Sequence, residues 1–507
     1  MAGDACRSVN FKHLLTPLPF SALRFVKVAV SRYSSNIYVL GETNGGLHSA
    51  DSSAVDGANA HSEDAFVAVY NSFGTPTKHA LIGGKGQNFP VDITMTENDD
   101  LIVVVAYTDS DHRFLGDESG YGGDMKMRVY RLKTINIESD DLKSSLNDGG
   151  CLAERGCVWM KEFTTDEGSD DYADSDTGMG DGLPTRDVTP TGVAVAKDDN
   201  DVEMVYLVGN TSGGGTDFGG DATGSMDGFV LKLKASDGSF VKSKRISSVE
   251  TDEISSVCVT PRGEPVVVGW TEGSLRTGYK SKGGLDTFVS LLTSSELNTV
   301  WTFMDGNENN DFGFGCSVHD TTLYAGGRSR GGVDGIGGWD TVLYKLETNT
   351  GTKDWVKVLG SKSDDRMGDI FQTGDVMADE VGNAIMVGMT MGGIGSRQVG
   401  NGDIFIRKVT ASGEFTRAHE VTAGVGVDGT GGGKSGISKT TEAVLTALGV
   451  SIGITMCVVG YFIGKKKTEA RYNMLVSDVD NNPFGNNRPG PVGVPAVIDP
   501  SDEDMEL

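Results

Sequence analysis

The chain has 507 residues, of which 71 are acidic and 44 are basic, so its formal net charge is -27 at pH 7. Such an acidic excess argues against binding to nucleic acid or docking on anionic lipid, because both need a basic surface. Seventy-two glycines and only six cysteines indicate a turn-rich fold that does not depend on a dense disulfide framework.

After an irregular N-terminal stretch, residues 1–21, one unit recurs six times between residues 22 and 422. Each unit first shows an apolar run ending in Gly-x-Thr or a variant, with its anchor at Gly41, Ala106, Gly209, Gly269, Gly327 and Gly388. A second run begins about 20 residues later with an aspartate, at Asp64, Asp124, Asp227, Asp286, Asp340 and Asp403. Five of the six units share a length of about 60 residues, a period typical of propellers, solenoids and arrays.

The fourth unit shows which of these architectures applies. Short apolar runs at 257–259, 265–270, 286–292 and 298–303 are separated by turn residues. Four short strands of this kind make one antiparallel blade. We therefore predict an all-β fold, a β-propeller of six visible four-stranded blades with a seventh possible, followed by one C-terminal transmembrane helix.

The two half-motifs resemble those of the SBBP family of β-propeller repeats, Tyr-Val-x-Gly-x-Thr and Gly-Gly-x-Asp-x-Phe-Val-x-Lys-Leu. The resemblance spans residues 22–422 and implies a propeller. The sequence departs from the family pattern at Ala106, where Gly is usual, and after Asp124, where Phe is missing. We therefore expect the second blade to be the irregular one, with residues 134–170 inserted in it.

The recurrent residues have structural explanations. An aspartate present in all six units is better explained by turn capping at a strand start than by catalysis, which needs one site. Tryptophans on predicted fourth strands, Trp159, Trp301 and Trp355, are expected to pack between blades. We therefore predict no catalytic residue and no bound cofactor.

Four less regular features give local predictions. Cys151 and Cys157 are expected to form a disulfide in an oxidising compartment, whereas Cys258 and Cys316 are expected to be buried free thiols. The sequon at Asn210 is a possible glycosylation site. Alternating oxygen side chains give a possible Ca²⁺ loop at Asp174, Asp176 and Asp181.

A Gly-rich tether, residues 423–442, leads to an uncharged segment, residues 443–464, that is long enough to span a bilayer. Three lysines follow it directly, so residues 465–507 are expected to be a disordered cytoplasmic tail and the propeller to be external or lumenal. A stripe of four glycines lies within this segment, at Gly449, Gly453, Gly460 and Gly464. Such a stripe suggests homodimerisation through the helix. No cleavable signal peptide is evident, and we expect a truncated or misassigned start.

The tail carries two short motifs. Tyr472 and Leu475 resemble the signal read by clathrin adaptors, in which an extended peptide fills two pockets. Asn482, Pro483 and Phe484 resemble the turn bound by endocytic EH-domain proteins. A disordered tail without partners is the alternative interpretation.

The sequence thus predicts a single-pass type I membrane protein at the plasma membrane or in endosomal or secretory membranes. Its propeller is expected to bind an external or lumenal protein or glycan ligand, as a receptor or adhesion protein with endocytic sorting. A propeller-based ectoenzyme, such as a hydrolase or lyase, and a passive structural surface protein are the alternatives. An ectoenzyme would need unlike polar residues around the central channel.

Overall fold

The computed structural model describes residues 23–43, 64–82, 88–107, 125–134, 151, 156–164, 188–213, 216–220, 223–331, 337–367, 375–392, 394 and 403–416. Within these ranges the chain forms six antiparallel β-sheets. The prediction of an all-β, six-bladed propeller is therefore confirmed. Residues 443–464 and the tail lie outside these ranges. Among the described residues, no helix is long and apolar enough to cross a membrane.

The first five blades share one strand order, with each strand paired to the next. Blade 1 contains β1 (Leu23–Val30), β2 (Ile37–Thr43), β3 (Asp64–Tyr70) and β4 (Pro76–Ile82). Blade 2 contains β5 (Asn88–Met95), β6 (Asp100–Tyr107), β7 (Lys126–Lys133) and β8 (Cys157–Phe163). Blade 3 contains β9 (Val188–Lys197), β10 (Glu203–Thr211), β11 (Asp227–Lys234) and β12 (Phe240–Ile246). Blade 4 contains β13 (Asp252–Val259), β14 (Pro265–Thr271), β15 (Asp286–Leu292) and β16 (Thr299–Asp305). Blade 5 contains β17 (Asp311–His319), β18 (Thr322–Arg330), β19 (Trp339–Glu347) and β20 (Lys353–Leu359).

Blade 6 departs from this order. β21 (Asp365–Arg366) and β22 (Asp375–Ala378) pair with successive parts of β23 (Ala384–Thr390), so together they occupy the place of a first strand. β24 (Asp403–Val409) pairs with the other edge of β23. Phe415 forms a bridge to Val409 close to the end of the described residues, where a last strand would begin.

The two half-motifs of each unit recur together because they face each other across strands two and three. In blade 3, Gly209 stands opposite Phe229 and Thr211 stands opposite Asp227, and blades 1, 4 and 6 keep the same register. A Cβ atom at Gly209 would lie 2.4 Å from Thr189 O and 2.7 Å from the Phe229 ring. A side chain at this anchor is therefore excluded by the main chain of the first strand and, in blades 3 and 6, also by the phenylalanine ring.

Blade 2 shows what happens when this pair changes. Ala106 stands opposite Met127, and both side chains are buried. An unbranched methionine adapts to a neighbouring methyl group that a rigid ring would not accept. The described part of blade 2 is a regular four-stranded sheet, and its fourth strand β8 lies inside the range 134–170. Most of the rest of that range lies outside the described residues, so the insertion stays a prediction.

The tryptophans of the fourth strands lie between blades, as predicted. Each indole Nε1 donates a hydrogen bond to a main-chain carbonyl of the following blade: Trp159 to Ala235 at 2.9 Å, Trp301 to Thr348 at 2.9 Å and Trp355 to Ala411 at 3.2 Å. The turn that accepts the bond contains a glycine with positive φ next to the ring, at Gly238, Gly351 and Gly413. Apolar clusters fill the rest of each junction from blades 1 and 2 to blades 5 and 6.

The first strands of successive blades contact one another, from β1 through β5, β9, β13 and β17 to β22. They therefore lie nearest the propeller axis. Between the last and first blades, Lys27 Nζ on β1 lies 3.3 Å from Asp375 Oδ2 on β22. This ion pair joins the two ends of the ring.

Candidate functional site

Several predicted site residues lie outside the described residues and stay predictions. They are the possible calcium ligands Asp174, Asp176 and Asp181, the transmembrane glycines Gly449, Gly453, Gly460 and Gly464, and the sorting residues Tyr472, Leu475, Asn482, Pro483 and Phe484. In the part of the chain that the structure describes, no group of three or more His, Cys, Asp or Glu side chains is arranged as a metal site.

The recurrent aspartates cap turns where their surroundings are described. Asp227 Oδ2 accepts a hydrogen bond from Thr223 N at 2.9 Å, and Asp286 Oδ2 accepts one from Lys282 N at 2.9 Å. Both side chains are fully buried. These residues are therefore part of the scaffold, as predicted, and a site for an external ligand has to be sought at positions that differ between blades.

Asn210 is also part of the scaffold. Its side chain is 4% exposed. The amide Nδ2 donates to Ile254 O at 3.1 Å, and Oδ1 accepts from Ile254 N at 2.7 Å, which joins blades 3 and 4. Glycosylation at Asn210 stays a prediction, but this geometry disfavours it because the nitrogen is buried and already bonded.

Two disulfides are present among the described residues. Cys151 is bonded to Cys157, as predicted. Cys258 on β13 is bonded to Cys316 on β17, so the prediction of free thiols at these positions is wrong. The first strands of blades 4 and 5 run side by side and bring the two Cα atoms to 5.8 Å, within the range that a disulfide spans.

The central channel contains a group of unlike charged side chains. Lys27 lies beside Asp375 and close enough to Asp92 to act on its charge. Burial raises the pKa of Asp92, against the opposing effects of Lys27 and two main-chain N–H groups. Asp92 Oδ1 accepts from Ile93 N at 2.8 Å and Oδ2 from Val193 N at 2.9 Å, so this carboxylate joins blades 2 and 3.

The most distinctive non-repeated feature is an aromatic patch, defined as Trp270, Phe312, Phe314, Trp339 and Arg328. Ring centroids lie 5.1 Å apart for Trp270 and Phe312, 5.6 Å for Trp270 and Phe314, and 5.6 Å for Phe312 and Trp339. The guanidinium carbon of Arg328 lies 4.8 Å from the centroid of Phe312, 5.1 Å from Phe314 and 4.8 Å from Trp339.

The position of the patch follows from the strand register. Trp270 and Arg328 occupy the variable place of Gly-x-Thr in blades 4 and 5, at the ends of β14 and β18. Phe312 is paired with Arg328 across the sheet, and Trp339 begins β19. All four residues therefore lie at the end of the propeller that carries the loops between strands two and three, and each is half-buried.

Acidic side chains border the patch. Glu253 on β13 is paired with Trp270, and Glu272 follows two residues after Trp270 in the loop. Burial raises the pKa of Glu253, and the charge of Glu272 adds to the effect. The patch thus combines stacking surfaces and a cation with carboxylates that can accept hydrogen bonds.

A separate groove lies between the outer strands of blades 4 and 5. Its volume is about 580 Å³, and its lining includes Trp301, Thr350, Lys353 and Arg276. Because Trp301 is bonded to Thr348 of the next blade, this lining belongs to the contact between blades. The groove is a weaker candidate than the aromatic patch.

No protein-family model and no curated protein matches this sequence. Among solved structures, the chain is similar to a protein of unknown function from Dyadobacter fermentans, with 12% identity over 76% of this chain and 94% of the other and a TM-score of 0.39. It is also similar to the phage phi92 endosialidase, with 11% identity over 82% of this chain and 70% of the other and a TM-score of 0.38. The β-propeller domain of the Trilobed protease from Pyrococcus furiosus matches with 5% identity over 79% and 84% and a TM-score of 0.36. Likenesses at this level concern the fold alone and carry no statement about activity.

Proposed function

We propose that the propeller is the ligand-binding module of a single-pass membrane receptor or adhesion protein, and that its ligand is a glycan bound at the aromatic patch. The observation that carries the proposal is the cluster of four half-buried rings around Arg328. Clustered rings at a surface are typical of recognition sites, because each offers a large apolar face at low entropic cost.

The chemistry of the patch suits a sugar better than a purely apolar ligand. Sugar rings offer apolar C–H faces that can stack on Trp270 and Phe312. Their hydroxyl groups can donate to Glu253 and Glu272 and accept from Arg328. We also retain kinship with the SBBP repeat family as part of this proposal, since the half-motifs stand in the register that explains their recurrence.

Export of the propeller is supported by its two disulfides, because such bonds persist in oxidising compartments. The uncharged segment 443–464 would anchor the chain, and the tail would couple it to endocytic adaptors. Uptake from the surface of expressing cells tests this part. We expect Tyr472→Ala and Phe484→Ala to slow uptake, whereas uptake equal to that of the wild type would count against sorting.

A glycan panel tests the binding proposal directly. The full-length chain, displayed on cells, is compared with its Trp270→Ala variant, and we expect affinity for the retained glycan to fall about tenfold or more. Phe73→Ala is the matched control, because Phe73 is 65% exposed and lies in the turn between β3 and β4, away from the patch. Equal binding by all three chains would refute the patch as the site.

A further inference from the structure

At three consecutive blade junctions the structure buries a pair of aspartates. One member is the first or second residue of the third strand of a blade, and the other begins the first strand of the next blade. The pairs are Asp227 with Asp252, Asp286 with Asp311, and Asp340 with Asp365, and each of these side chains is at most 2% exposed. Burial raises the pKa of Asp252, Asp311 and Asp340, and the charge of the other aspartate of each pair raises it further.

The junction between blades 3 and 4 contains its own cation. Arg245 Nη1 donates to Asp227 Oδ2 at 2.9 Å, and Nη2 donates to Gly213 O and Gly220 O, both at 2.9 Å. The arginine side chain is only 5% exposed. A buried carboxylate is costly unless it is paired, and Arg245 supplies the partner here.

The next two junctions have an apolar residue in the arginine's place. Arg245 stands opposite Phe229, whereas the same register position is Met304 in blade 4 and Val358 in blade 5. Among the described residues, no lysine or arginine forms an ion pair with Asp286, Asp311, Asp340 or Asp365. In the described part of the chain, the two carboxylates at each of these junctions are therefore buried without an ion pair to a lysine or arginine.

Individual oxygen atoms at these junctions also lack partners. In the described part of the chain, Asp286 Oδ1, both carboxylate oxygens of Asp340 and Asp365 Oδ1 are buried without a hydrogen bond. In the pair of Asp227 and Asp252, Asp252 Oδ1 is also buried without a hydrogen bond. A Cβ at Gly306 would lie 2.1 Å from Asp286 Oδ1 and 3.1 Å from Asp311 Oδ2, so both aspartates border the same point.

We propose that the junction between blades 4 and 5 and the junction between blades 5 and 6 each bind one divalent cation with the chemistry of Ca²⁺. The ligands from side chains are Asp286 and Asp311 at the first site, and Asp340 and Asp365 at the second. Calcium accepts carboxylate, carbonyl and water oxygens in flexible numbers, so two carboxylates can be completed by main-chain oxygens and water. Bound calcium would take the place that Arg245 holds one junction earlier.

Thermal unfolding of the full-length chain in calcium and in a calcium chelator tests the proposal. We expect calcium to raise the melting temperature by several degrees, since a ligand that binds only the folded state stabilises it. Asp340→Asn should reduce this increase, and Asp286→Asn with Asp340→Asn should abolish it. In the chelator these variants should be at least as stable as the wild type, because each removes an unpaired buried charge.

Terbium luminescence gives a second readout that does not depend on unfolding. Trp339 precedes Asp340, and Tyr279 Oη lies 3.3 Å from Asp286 Oδ2, so terbium at these sites should be sensitised by aromatic excitation. Asp201→Asn, at a side chain that is 83% exposed, is the matched control and should keep the full response. A calcium response that is absent in the wild type, or that persists in the double variant, would overturn the proposal. So would an Asp340→Asn variant that is destabilised equally with and without calcium.

Discussion

The disulfide between Cys258 and Cys316 offers a quantitative test of how the ring is held together. We predict that the double variant Cys258→Ala with Cys316→Ala folds but loses a large part of the propeller's stability. The bond joins the first strands of blades 4 and 5 across 58 residues of sequence. It therefore closes one complete blade repeat in the unfolded chain as well as in the folded one.

The expected magnitude follows from the loop that the bond closes. In the chain-entropy model, a loop of 58 residues corresponds to about 4 kcal/mol at 25 °C. The bond between Cys151 and Cys157 closes only 6 residues, for which the same model gives about 2 kcal/mol. Removing the inner bond should therefore cost about twice as much as removing the local one.

Urea unfolding of both double variants, followed by tryptophan fluorescence, measures this difference. Unfolding of the reduced wild type provides an independent comparison, since it lacks both bonds without any change of sequence. Equal losses for the two variants, or a larger loss for Cys151→Ala with Cys157→Ala, would refute the reasoning from loop length. Unchanged stability in the reduced wild type would show that neither bond contributes.

Three further predictions concern single side chains. Trp301→Phe removes the hydrogen bond to a carbonyl of the next blade and should cost about 1–3 kcal/mol in urea unfolding. Val300→Ala, at a neighbour that is 49% exposed, should change stability by less than about 0.5 kcal/mol. Asn210→Ala leaves the buried main chain of Ile254 without its partner and should cost about 2–4 kcal/mol, and mass spectrometry should find no glycan at Asn210. Burial alone would raise the pKa of Asp379, but Lys408 and other hydrogen-bond donors lower it to about 2. The contribution of the Asp379 carboxylate to the free energy of unfolding is therefore present at neutral pH and lost as the pH falls below about 4. Between pH 7 and pH 3 the wild type should lose about 1 kcal/mol more of this free energy than Asp379→Asn, after allowance for solvent screening.

Each of these results has a clear contrary outcome. A Trp301→Phe variant as stable as Val300→Ala would mean that the indole bond contributes nothing to the junction. An Asn210 side chain that carries a glycan in the folded chain would contradict its burial. Identical acid sensitivity in the wild type and Asp379→Asn would show that the carboxylate gains nothing from its partners.

The scaffold could be predicted because its determinants repeat. Gly209 and Phe229 face each other in the sheet, and so do their counterparts in other blades. The same steric requirement therefore selects the same residue types at the same positions in each unit. The register of strands two and three follows from these recurrent positions. Blade 2 lacks this pair, since Ala106 with Met127 satisfies the same contact with different residues.

The disulfide between blades could have been predicted from the same repeat. Cys258 and Cys316 are 58 residues apart, and Gly269 and Gly327 are separated by the same interval. Equal offsets from the anchors place the two cysteines at similar heights on adjacent first strands. Each cysteine taken alone shows only an apolar strand position, which favours a buried free thiol.

The candidate sites could not be predicted in this way. Trp270 and Trp339 are far apart in the sequence, and only the packing of blade 4 against blade 5 brings both rings to Phe312. The buried aspartate pairs combine one residue of the recurrent motif with one from the next unit, such as Asp340 and Asp365. Such contacts depend on the angle between blades, which local patterns do not encode.

The central claim is that the propeller binds a glycan through the aromatic patch. Hydrogen exchange of the full-length chain, measured with and without the glycan retained from the panel, tests it most directly. We predict slower exchange in the loop of residues 272–285 and at the adjoining ends of β14, β17 and β18, with no change in the turn at residues 71–75. Protection confined to the opposite end of the propeller, or no protection near Trp270, would contradict the claim.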